Sequence, residues 1–132
     1  MLYAMFALVV LTFVVMGLMG YVRMRSVSKG QVPARYYKLM QGADLPEVVI
    51  KTGRHFNNLF EVPVLFYAAS ILAIVMHVDN QSMVMLAWAF VICRLVHAII
   101  HMTYNHPLHR LASFTVGCCV VLAMWVQLLL SA

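Results

Sequence analysis

The stretch LYAMFALVVLTFVVMGLMGYV, residues Leu2 to Val22, holds no charged side chain. It is long enough to cross the roughly 30 Å hydrocarbon layer of a bilayer, which takes about 20 helical residues. No basic residue precedes it, and a secretory leader would have a positive start, a shorter apolar run and a small-residue cleavage site. The stretch therefore reads as a retained membrane anchor. Three further apolar runs follow, at about 57–77, 83–101 and 111–130. With 64% hydrophobic residues, 10% charged residues and a mean hydropathy of +0.92, the chain is expected to be an all-α integral membrane four-helix bundle, one four-span domain over residues 1–132.

Charge is distributed as membrane topology requires. Arg23, Arg25, Lys29, Arg35, Lys38 and Lys51 crowd into the connection after the first span, against Asp44 and Glu47, with Gly30, Pro33, Gly42 and Pro46 as punctuation. The turn around Val78 to Ser82 has Asp79 but no lysine or arginine. The positive-inside rule places the long basic loop and the connection holding Pro107 in the cytoplasm, with both termini outside. This clustering also accounts for the net charge of +5 without a nucleic-acid partner. Cys93, Cys118 and Cys119 fall within spans as small hydrophobes and imply no disulfide framework. The methionines and Gly17, Gly20 and Gly117 read as helix packing.

Two spans carry polar groups that a lipid-facing helix should not contain. Arg54, Asn58 and Glu61 lie in or next to the second; Arg94, His97 and His101 lie in the third. At about 100° per residue, each set returns to one helical face within roughly 60°. Ionisable groups at membrane depth are costly and mark a bundle interior or a wet cavity, so the two stripes are expected to face each other and form a functional site. Pro63 is expected to kink the second helix where its polar face lies.

Each residue also has a plainer reading. Arg54 and Glu61 can form a structural ion pair. Arg94 and Arg110 can snorkel toward headgroups. The histidines can be interior hydrogen-bonding groups, and Asn58 can join helices.

The run Arg54-His-Phe-Asn-Asn58-Leu-Phe-Glu61-Val-Pro63 resembles the Arg-x-x-x-Asn-x-x-Glu-x-x-Pro signature of the MAPEG family, membrane-associated proteins in eicosanoid and glutathione metabolism. The proline here follows Glu61 by two positions rather than three. Four spans, a basic exit from the first helix at Arg23 and Arg25, and a third-helix face of Arg94, His97 and His101 are similar to that family, closest in spacing to its prostaglandin E synthase and microsomal glutathione transferase-like members.

The resemblance implies a homotrimer that uses glutathione as co-substrate, bound between subunits toward the cytoplasmic side. It implies that Arg23, Arg54, Asn58, Glu61, Arg94, His97 and His101 bind or brace glutathione and that Arg110 activates its thiol. The thiolate would attack a hydrophobic electrophile or a lipid hydroperoxide entering from the membrane. Where members of the family carry tyrosine, serine and tyrosine, this chain has His101, Leu111 and Phe114. An isomerase mechanism needing a hydroxyl there would turn to Tyr104 or Ser113, or to donation by His101. Two alternatives stand beside this one. The first is a non-catalytic trimeric binding or sensor protein. The second is a metal centre on His97, His101, His106 and His109, disfavoured because His55 and His77 are distant in sequence, so that no metal is expected.

Overall fold

The uncharged opening stretch continues as helix α1, Leu2–Ser28, well past Val22, so Arg23 and Arg25 ride on its C-terminal end. The computed structural model describes residues 1–42 and 44–131, and these form no strand. After α1 come a single turn α2 (Tyr36–Leu39), α3 (Glu47–Asn58), α4 (Val62–Val75), α5 (Gln81–Met102) and α6 (Pro107–Ser131). Helix α1, the α3–α4 pair, α5 and α6 are each long and apolar enough to cross a membrane.

Gly30, at φ +67°, turns the chain back at the end of α1 in a conformation that side chains with a Cβ resist. The loop then closes on the helix end. Ser26 Oγ donates to the Arg23 carbonyl at 2.7 Å and lies 3.1 Å from Tyr37 Oη, while Val32 is buried.

The helical segment that carries the second apolar run begins at Glu47, and it is broken. Helix α3 escapes a hydropathy reading because it is amphipathic, burying Val49, Thr52 and His55 while exposing Glu47, Val48 and Arg54. The expected kink is a full interruption at residues 59–61, with Pro63 in the first turn of α4. A proline there cannot donate to the carbonyl four residues earlier and its ring clashes with it, whereas the first turn of a new helix tolerates it. The break frees the Asn58 carbonyl, which in a continuous helix would accept from residue 62. Arg94 Nη2 of α5 donates to it instead, at 2.8 Å. Pro63→Ala is therefore expected to rejoin α3 and α4, raising the far-ultraviolet helical signal by about one turn and weakening any ligand held at the break. An unchanged spectrum would show that other contacts set the corner.

The apolar core gathers Ala4 and Leu8 of α1, Phe66, Ala69 and Ala73 of α4, Met83, Ala87, Phe90 and Val91 of α5, and Val121, Met124 and Leu128 of α6. Phe66 and Phe90 stack at 4.7 Å between centroids. The small residues let the helices approach closely, which is how membrane helices gain dispersion contact. Of the three glycines expected to serve packing, only Gly117 does so within one chain: a Cβ there would lie 3.6 Å from the Phe90 ring, while Gly17 and Gly20 have nothing within 4 Å. Phe6, Phe13, Val14, Leu122 and Leu129 point outward, as lipid-facing residues should.

The two ends of the bundle differ. At the α4–α5 end, Asn80 caps α5 by accepting from the Met83 amide, and Gln127 of α6 donates to Asn80 and Ser82. The other end gathers the C-terminus of α1, α3, the end of α5 and the start of α6, tied by Lys51 Nζ donating to the Thr103 carbonyl at 3.2 Å.

Candidate functional site

A cleft of about 290 Å³ opens at this second end, lined by Asn58, Glu61, His97, Pro107, Arg110, Leu111 and Phe114. Three devices build it. The Pro63 break delivers Asn58 and Glu61, and α5 supplies His97. The start of α6 supplies the remainder, because Pro107 sits at its first position, where a missing amide donor costs nothing.

Arg110 is aimed by the turn that precedes it. Asn105 adopts the left-handed conformation, φ +52°, which asparagine tolerates better than most residues. Its amide donates to the Ile100 carbonyl at 2.8 Å, and its Oδ1 accepts from Arg110 Nη1 at 3.0 Å. Arg110 Nε is buried without a partner among the described residues. The cation thus reaches the cleft with donors unspent.

Charge on the cleft walls is uncompensated. Among the described residues the only ion pair is Lys51 with Glu47, at 3.6 Å. Glu61 and Arg110 line the same cleft without pairing to each other, and the Arg54–Glu61 ion pair of the plainer reading does not form within one chain. Arg94 is 1% exposed, donates only to the Asn58 carbonyl, and holds its guanidinium carbon 5.7 Å from the Phe114 ring centroid. Among the described residues its Nε and Nη1 find no partner. A buried charge without a counter-ion is expensive, so the site is short of anions.

Of the residues expected to form the site, Asn58, Glu61, His97 and Arg110 come together at the cleft. Arg94 stands behind its Phe114 wall. Arg23 lies elsewhere, lining a separate groove with Met24, Val27, Ser28 and Tyr37, its guanidinium carbon 5.5 Å from the Tyr37 ring centroid. Arg54 is exposed and does not line this cleft. The face expected for residues 54, 58 and 61 assumed one continuous helix, and the break at 59–61 removes Glu61 from it.

His101 is fully buried and does not line the cleft. Its ring lies tilted against His55, with centroids 5.0 Å apart, and the His55 and His97 centroids are 5.9 Å apart. None of the groups considered as substitute donors lines the cleft. Tyr104 Oη pairs with His109 at 3.0 Å, and Ser113 Oγ donates to the Arg110 carbonyl.

Sequence reasoning missed Asn105 and set His55 aside as too distant in sequence. Asparagine just before His106-Pro107 is a turn signal, and His55 lies three residues before Asn58 and so shares its side of α3.

The profile of the MAPEG family matches residues 1–130 of the chain. No curated protein and no solved structure matches it. Four apolar helices of spanning length, with that match over nearly the whole sequence, make this a multi-pass integral membrane protein. The chain belongs to the MAPEG family.

Proposed function

We propose that the protein is a membrane-bound glutathione-dependent transferase or peroxidase. The observation that carries this reading is the pair of opposite charges, Arg110 and Glu61, lining one cleft without neutralising each other. A ligand that itself bears both signs satisfies them together, and glutathione brings two carboxylates, an ammonium group and a thiol. The Arg110 guanidinium draws the thiol toward thiolate, more strongly as water is excluded. Glu61 takes the ammonium group and Asn58 a peptide group. Arg94 braces the corner and supplies positive potential from behind.

The thiolate then attacks an electrophilic carbon and expels its leaving group, giving a thioether. Alternatively it attacks the terminal oxygen of a lipid hydroperoxide; the alcohol leaves and a sulfenic acid remains. A second glutathione converts this to disulfide and water. Both reactions use one activated nucleophile.

The cleft of one chain is at the lower limit of ligand sites, which occupy roughly 300–1,000 Å³. A neighbouring subunit of a homotrimer is proposed to complete it, with Arg23 and Arg54 reaching an adjacent chain's cleft. The cluster of lysine and arginine at this end orients it toward the cytoplasm, with both termini outside, and the hydrophobic substrate enters from the lipid.

Leu111 and Phe114 favour a second reading, in which the fold and pocket serve binding without turnover, since no hydroxyl lines the cleft. Purified protein in detergent decides between them. Enzyme activity requires a glutathione thiolate signal and turnover of a chlorinated aromatic or a lipid hydroperoxide; binding with neither supports the sensor. Glu61→Gln removes a charged hydrogen bond worth about 1.5–3 kcal/mol, so glutathione affinity is expected to fall at least about tenfold with turnover at saturation little changed. Equal loss in both would place Glu61 in the chemical step instead.

A further inference from the structure

Three histidines meet in the interior behind the cleft. His55 of α3 and His97 and His101 of α5 are all at least 98% buried, and one ring nitrogen from each lies within 4.8 Å of the others. Among the described residues, both ring nitrogens of His55, both of His101 and Nε2 of His97 have no hydrogen-bond partner. Buried polar atoms are rarely left so, and a cluster of them turned toward one another needs an explanation.

The protonation of His97 supplies one. Its Nδ1 lies 3.2 Å from the Arg110 carbonyl and 3.1 Å from Ser113 Oγ, whose own hydrogen is spent on that same carbonyl. The Arg110 carbonyl can only accept, so the contact at Nδ1 is a hydrogen bond when that nitrogen carries the hydrogen, a tautomer that leaves the neutral ring's lone pair at Nε2. A backbone carbonyl that fixes the tautomer and aims the opposite nitrogen is the arrangement seen behind metal-bound histidines.

We infer that His55, His97 and His101 form a three-histidine binding site for a divalent transition-metal ion of the zinc class. Tetrahedral ligation at about 2.0–2.1 Å brings imidazole nitrogens to about 3.3 Å of one another, which asks the rings to close by less than about 1.5 Å from the separations here. Arg94, one turn before His97, and Arg110 make the surroundings positive. The ion must therefore bind imidazole strongly and take an anion such as hydroxide as fourth ligand, which favours zinc over magnesium or calcium. With ligands on α3 and α5, and His97 backed by α6, the ion would clamp the polar end of the bundle. The site shares His97 with the cleft, but its test reads bound metal and not glutathione turnover.

The test uses the full chain in detergent, free of any affinity tag, stripped with chelator and reloaded with cobalt or zinc. One cobalt per chain is expected, with the visible bands of a four-coordinate ion, and zinc should raise the melting temperature. His55→Phe should lose the bands. The double variant His106→Gln/His109→Gln, which removes the exposed histidine pair with ring centroids 4.7 Å apart, should keep them. X-ray absorption of the zinc-loaded wild-type protein needs no variant and should count three imidazole nitrogens. No bound cobalt, bands that survive His55→Phe or vanish with His106 and His109, or two imidazoles or fewer would each overturn the inference.

Discussion

Replacing Arg110 by alanine is expected to abolish formation of the glutathione thiolate while glutathione still binds. A free thiol has a pKa near 8.5, so at neutral pH only a few per cent is the nucleophilic thiolate. Arg110 is half-buried at the cleft, held through Nη1 by Asn105, with the rest of its fork unspent. A preorganised charge of this kind is worth about 10²–10³ in rate, and turnover should fall by that factor. Glu61 and Asn58 remain to hold the tripeptide, so the dissociation constant should move much less. Absorbance of the thiolate and equilibrium binding, measured on one preparation, separate the two effects. Turnover that survives the substitution would mean another group activates the sulfur.

The second large effect falls on stability, through Arg94. Arg94→Ala leaves the volume of a long buried side chain unfilled and orphans the Asn58 carbonyl. Cavities of this class cost about 2–5 kcal/mol, and an unsatisfied buried acceptor about 1–3 kcal/mol. Removal of a buried guanidinium without a counter-ion returns part of this, so a net loss of about 2–4 kcal/mol is expected. Arg94→Met fills most of the void and removes the same charge, so it should recover more than half of that loss. Unfolding of both variants in the same detergent checks the sign and the order. If both melt with the wild type, the arginine does not hold the α3–α4 corner.

The spans were legible in the sequence because lipid demands long uncharged runs, and Leu2 to Val22 meets that demand without exception. What lay outside those runs was harder to read. Helix α3 hides in a polar connection, since a helix that buries only Val49, Thr52 and His55 has no hydropathy signal. Pro63 announced a disturbance, but whether a proline kinks or breaks a helix depends on what takes the freed carbonyl, and that partner, Arg94, comes from another span.

The stripe of Arg94, His97 and His101 was read correctly as one inward face, because α5 is continuous. The stripe of Arg54, Asn58 and Glu61 was not, because its helix ends at Asn58. Asn58, Glu61, His97 and Arg110 all line the cleft. His55 was set aside as distant in sequence from His97 and His101, and only the fold brings the three together.

The most direct measurement is an ultraviolet titration of the purified wild-type protein with glutathione at neutral pH. Thiol activation in the Arg110 cleft requires a saturable thiolate signal that is displaced by a glutathione analogue lacking the sulfur. Saturable binding of glutathione with no thiolate signal would contradict it.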